Sequence, residues 1–111
     1  MPVDPEEVKA RLEALRKDFV AELPSRLESL EAAWKRLQRG PWVAAAFQEF
    51  HRGVHALAGS GAMFRCDRLS ARARSLDQVL KPFGSGETPP DAKTAGLISD
   101  GLAAMKEAGT S

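Results

Sequence analysis

The sequence predicts an all-α protein, an antiparallel (up-down-up-down) four-helix bundle with an N-terminal helical extension. Three observations predict it. Apolar residues recur every three or four positions along most of the 111 residues. Glycine and proline interrupt that pattern at a few short turns. No stretch shows the every-second-residue alternation of a half-buried strand. A chain of this length supports one hydrophobic core, so 1–111 reads as a single domain.

Val8, Leu12, Leu15, Phe19 and Leu23 form one stripe at helical spacing, and Leu27, Leu30, Trp34 and Leu37 continue it. Pro24 interrupts the stripe and biases Leu23 away from helical geometry. The expected division is two helices, about 4–22 and 24–39, or one kinked helix. Gly40 suits a left-handed stop and Pro41 the first position of the next helix, about 41–63. A turn this short makes the two antiparallel neighbours. Val43, Phe47, Phe50, Val54, Leu57, Gly61 and Phe64 supply the buried face of that helix.

Asp67 is placed as the N-cap of a helix over about 67–83, with Leu69, Ala73, Leu76, Leu80 and Phe83 inward. "GSGETPPDA" is the clear loop. Within it, Thr88-Pro89-Pro90-Asp91 offers a cap, an N1 proline and an acid at N3 for a last helix, about 89–107. Leu97, Ile98, Leu102 and Met105 give that helix its apolar side, despite Gly96 and Gly101. Trp34, Trp42, Phe47, Phe50 and Phe64 read as core or helix-end packing.

Lys+Arg 16 against Asp+Glu 15 leaves a net charge of +1, which names no partner. The distribution is less even. Between Arg52 and Lys81 lie six basic residues and two acids, a local +4. With Phe64 the one aromatic within it, the patch fits nucleic acid poorly. The single cysteine, Cys66, excludes an internal disulfide and fits a reducing cytoplasm. No apolar run approaches the roughly 18 residues a membrane helix needs, and "MPVDPEEVKA" is not a signal peptide. A cytoplasmic, monomeric protein without membrane contact is expected.

The informative stretch is "HALAGSGAMF", residues 55–64. Glycine costs roughly 1 kcal/mol relative to alanine inside a helix, and Gly59 and Gly61 both fall there. At about 100° per residue, His55 lies roughly 120° from the centre of the buried stripe, at the border of the exposed face. His51, Arg52, Ala58 and Gly59 lie one turn from it, and Ala62 two turns on. Ala58, Gly59 and Ala62 form a floor of small residues on which a partner can approach an imidazole closely, or on which another helix can pack. An antiparallel turn near 64–66 brings residues 74–78 level with His55. Arg74, Asp77 and Gln78 are the polar candidates there. A carboxylate accepting from one ring nitrogen leaves the other nucleophilic. Asp77 suits that role, and Gln78 is the second ring-orienting candidate. A solvated acid balancing Arg74 or Lys81 is the plainer alternative.

"FHRGVHALAGSGAMF", with "LSARARSLDQVL" downstream, resembles the histidine-containing phosphotransfer (HPt) domain. His55, Leu57, Gly59, Ser60, Leu69 and Leu76 fall on that family's pattern, with Asp77 at its acid-or-glutamine position. The resemblance implies a phosphorelay carrier. His55 Nε2 takes a phosphoryl group from an aspartate of a response-regulator receiver domain and passes it to another receiver. An upstream hybrid histidine kinase feeds the relay. The resemblance also implies no cofactor of the domain's own, because Mg²⁺ is supplied by the receiver during transfer. This chain departs from the pattern twice. The usual lysine three residues after the histidine is Ala58, and a glycine near the motif's end is Arg65. Arg52 and Arg74 are the candidates to contact phosphate in place of that lysine, and His51 joins the small-residue floor as a flanking contact.

Neither "GSG" precedes Lys-Ser or Lys-Thr, so no nucleotide loop is present and the chain is expected to be a phosphocarrier and not an enzyme. His51 and His55 have the i, i+4 spacing of a helical metal pair. A zinc site needs further ligands, and only Cys66 and carboxylates remain, so no metal is expected. Two other readings stand beside the relay: a non-catalytic helical interaction module, motivated by Ala58, and the phosphoacceptor domain of a chemotaxis-type histidine kinase.

Overall fold

The computed structural model describes residues 3–110. It contains four helices: α1 (Pro5–Arg39), α2 (Ala44–Met63), α3 (Asp67–Leu80) and α4 (Ala92–Thr110). A single 3₁₀ turn, Lys81–Phe83, follows α3. Close backbone approaches join α1 to α2, α2 to α3, α3 to α4 and α4 back to α1, whereas among the described residues the diagonal pairs have none. The helices therefore stand in a ring around one core. No strand occurs among the described residues.

Residues 4–22 and 24–39 do not form separate helices. They make one uninterrupted helix with Pro24 inside it. Two features let it continue. Pro24 is on the exposed side, so water can reach the carbonyl of Val20 that the missing N–H leaves unpaired. Phe19, Leu23, Leu27, Leu30, Trp34 and Leu37 are buried on both sides of the proline, so packing holds the axis across it. At about 1.5 Å per residue α1 is about 52 Å long, which accounts for the longest dimension of the molecule, 53 Å. Asp4 caps it by accepting from Glu6 N–H at 3.0 Å. The bundle covers α1 from Phe19 onward, and Val8, Leu12 and Leu15 on the preceding turns are exposed.

Other boundaries move by a few residues. Gly40 has a positive φ of +72°, but its ψ of 169° is extended and not the left-handed helical stop expected. Helix α2 begins at Ala44 after Val43, and Pro41 and Trp42 belong to the connection. The α3–α4 loop braces this connection: Trp42 Nε1–H donates to the Gly86 carbonyl at 2.6 Å and Gln48 Nε2–H to that of Ser85 at 2.7 Å. Cys66, not Asp67, occupies the N-cap position of α3, with no side-chain cap bond, and Asp67 is the acid of the first turn. The last helix is capped by Asp91 instead of Thr88, its carboxylate accepting from Thr94 N–H at 2.8 Å.

The α2–α3 turn has a specific chemistry. Cys66 N–H donates to the Gly61 carbonyl at 2.7 Å and Arg65 N–H to that of Ala62 at 3.3 Å. These two bonds are a Schellman closure, which requires a left-handed residue between helix and exit. That residue is Arg65, at φ +60°. The glycine of the resembled pattern would sit here without steric cost, and the arginine occupies it with a Cβ.

The core is built mainly of leucine and aromatic side chains, with Val54, Ala73, Ile98 and Met105 among them, and all four helices contribute. Trp34 stacks on Phe50 at 5.7 Å, meets Trp42 edge-on at 6.4 Å, and donates from Nε1 to Ser99 Oγ at 3.0 Å. Helices α2 and α3 pack most extensively. Gly61 permits it, because a Cβ there would lie 3.2 Å from both Cβ and N of Ser70. Ser70 Oγ–H then donates to the Ala58 carbonyl at 2.7 Å across the same contact.

Candidate functional site

The close α2–α3 packing sets the site. His51 and His55 are one turn apart on α2 and so share a face, and Asp77 faces them from α3. His51 Nε2 lies 2.7 Å from Asp77 Oδ1, and His55 Nδ1 lies 3.2 Å from Oδ2. One carboxylate therefore bridges two imidazoles. Exposure differs sharply among the three: 74% for the His55 side chain, 20% for His51 and 7% for Asp77.

Burial pushes the Asp77 carboxyl up, but hydrogen bonds from His55 and then His51 outweigh it and hold the group below its ordinary value of 3.8. An ionised carboxylate only accepts. Each facing ring nitrogen thus carries the proton: Nε2 in His51 and Nδ1 in His55. In neutral His55 the lone pair is left on Nε2, at the outer end of an exposed ring. The arrangement is that of a nucleophile oriented from behind.

The other candidate residues lie in different surroundings. Gln78 is exposed, because one step of about 100° around α3 turns it away from α2. Arg52 and Arg74 are also exposed, beside His51 and three residues before Asp77 respectively. Gly59 and Ala62 are exposed, and a Cβ on Gly59 would meet nothing within 4 Å. Ala58 differs. Expected on the exposed floor, it is 8% exposed and belongs to the core, with its carbonyl bound by Ser70. Its place next to Leu57 turns it toward α3, where a small side chain lets the helices close. His51 also departs from expectation. It is not a free flanking contact but is pinned to Asp77, with its ring 6.3 Å from that of buried Phe47. The sequence carried a signal for this: any group level with His55 across the interface is also within reach of a histidine one turn away.

The basic side chains Arg52, Arg65, Arg68, Arg72, Arg74 and Lys81 are all exposed. Among the described residues, no three His, Cys, Asp or Glu are arranged to hold a metal ion, and no helix is long and apolar enough to cross a membrane.

Comparison with known proteins adds one match. The family model described as "Hpt domain" matches residues 14–108, nearly the whole chain. No curated protein and no solved structure gives a significant match.

Proposed function

The chain belongs to the Hpt domain family, and from that premise we propose that His55 is its phosphoacceptor, exchanging a phosphoryl group with aspartates of response-regulator receiver domains. Hpt domains serve histidine phosphotransfer in phosphorelays. The observation that carries the assignment to His55 is the bond from its Nδ1–H to Asp77 Oδ2 at 3.2 Å, on a ring whose Nε2 side is open to solvent.

In the proposed step the Nε2 lone pair attacks phosphorus of a receiver's aspartyl phosphate. The N–P bond forms as the P–O bond to the aspartyl oxygen breaks, and the receiver's carboxylate leaves with the electron pair. The imidazole gains positive charge in this step and keeps its Nδ1 proton. The Asp77 carboxylate stabilises that charge from a buried position, where the attraction is little screened by water. The reverse step returns the group to another receiver. Mg²⁺ is supplied by the receiver, and this chain contributes a positioned nucleophile. Its local +4 patch suits the acidic rim of a receiver pocket by steering encounter, with Arg52 and Arg74 as phosphate contacts. Gly59 and Ala62 form the clearance beside the ring, and an upstream hybrid histidine kinase supplies the relay. A cytoplasmic location and a monomeric state complete the reading.

A receiver domain carrying radiolabelled phosphate tests it. Wild type should take up label and His55→Gln should not; label on His55→Gln refutes the assignment. Gly59→Leu should remain folded, since its side chain points into open space, yet lose transfer by at least about tenfold. Undiminished transfer would rule out Gly59 as part of the docking face.

A further inference from the structure

We propose that His51 is a positioning residue for phosphotransfer: its Nε2–H pins Oδ1 of Asp77 so that Oδ2 faces Nδ1 of His55, and one carboxylate thereby holds the two histidines in opposite tautomers. The inference rests on reading His55 as the phosphoacceptor.

The two bonds to the carboxylate are unequal. His51 holds Oδ1 at 2.7 Å, whereas His55 meets Oδ2 at 3.2 Å. Rotation of an aspartate about its terminal torsion is broad and roughly two-fold, so its backbone alone does not fix the plane of the carboxylate. His51 supplies what the torsion lacks. It is 20% exposed, its ring lies 6.3 Å from fully buried Phe47, and its proton points across the α2–α3 interface. His55 has the opposite character, a ring 74% exposed whose one described hydrogen bond runs to that carboxylate. Orientation therefore passes from the held ring to the free one through Asp77.

The same geometry sorts the chemistry. Nε2 of His51 carries a proton engaged with Oδ1, so the lone pair of a neutral His51 is on Nδ1, in a ring only 20% exposed. Nε2 of His55 has the lone pair because the carboxylate holds the proton at Nδ1. Without His51, Asp77 can turn or take up water at either oxygen, and the His55 tautomer relaxes toward that of a free imidazole.

Long-range proton–nitrogen NMR on histidine-labelled full-length chain tests this at about pH 8.5, where an ordinary imidazole is neutral. His51 should be protonated at Nε2 and His55 at Nδ1. In His51→Leu the ratio of the Nδ1–H to the Nε2–H form of His55 should fall about fivefold, the equivalent of one ordinary hydrogen bond. Transfer from a phosphorylated receiver should fall in similar proportion. His51→Gln places an amide N–H where Nε2–H was and should recover most of both, which a purely space-filling role would not require. If His51→Leu does not fold, His51→Asn, too short to reach Oδ1, makes the same comparison. An unchanged His55 tautomer in the leucine or the asparagine variant, or a glutamine variant as impaired as leucine, overturns the proposal. The tautomer measurement needs no partner. A wild type with these tautomers that accepts no phosphoryl group counts against His55 as acceptor, while the response to His51→Leu still decides whether His51 positions the ring.

Discussion

Gly59 and Gly61 are two residues apart on α2, and the same substitution should have opposite effects at the two. Neither has the positive φ that only glycine tolerates well, so alanine should gain about 1 kcal/mol of helix propensity at each. At Gly59 nothing lies within 4 Å of the new Cβ, and Gly59→Ala should be stabilising by about that amount. At Gly61 the Cβ would sit 3.2 Å from Cβ and N of Ser70 and 3.3 Å from its Cα. Two of these atoms are α3 backbone, clamped further by the Ser70–Ala58 hydrogen bond of 2.7 Å. Relief requires α2 and α3 to separate by a few tenths of an ångström, and overpacking of this kind costs about 1–3 kcal/mol. Gly61→Ala should therefore be net destabilising by about 1 kcal/mol, roughly 2 kcal/mol below Gly59→Ala. Urea unfolding followed by helical circular dichroism measures both, with the slope checked for constancy. Equal stabilities for the two variants would refute the reasoning, because they would show that the α2–α3 contact is not limiting at Gly61. The widening should also stretch the 3.2 Å His55–Asp77 bond, which crosses the same interface, and so weaken phosphotransfer in Gly61→Ala.

Arg65 holds the left-handed position of the α2–α3 turn at φ +60°, so Arg65→Gly should raise stability by about 0.5–1 kcal/mol after its greater unfolded-state freedom is counted; a loss of stability in urea unfolding would contradict this. Acid should act through Asp77. Its folded value lies below the ordinary 3.8, so its contribution is fully present above that ordinary value and is lost as pH falls through the depressed one. Unfolding titrated from pH 6 downward should lose stability more steeply below about pH 4 in wild type than in Asp77→Asn, and parallel curves would show that the carboxylate is not the linked group.

Much of the site was legible because helical periodicity is a one-dimensional property. His55 at the border of the exposed face follows from its spacing against Val54, Leu57 and Gly61. The level of Asp77 follows from counting equal distances on either side of an antiparallel turn. Pro24 shows the limit of such counting. A proline's local preference predicts a break, yet a buried stripe on both sides and a solvated carbonyl keep α1 whole. Ala58 shows another limit: a small residue near the face boundary reads equally as a docking floor or a packing contact, and only the position of Ser70 separates them.

The sequence by itself determined the all-α class, the antiparallel order, the border position of His55 and the level of residues 74–78 opposite it, because each depends on periodicity and chain length between turns; Asp77 and Gln78 both stayed open. The tertiary structure alone decided that Ala58 is buried and that Gln78 turns away. It also decided that His51 shares the carboxylate with His55. Those outcomes depend on how α2 and α3 are rotated and how closely they approach. That is set by the fit of Gly61 against Ser70, a contact between two helices that no pattern along either one contains.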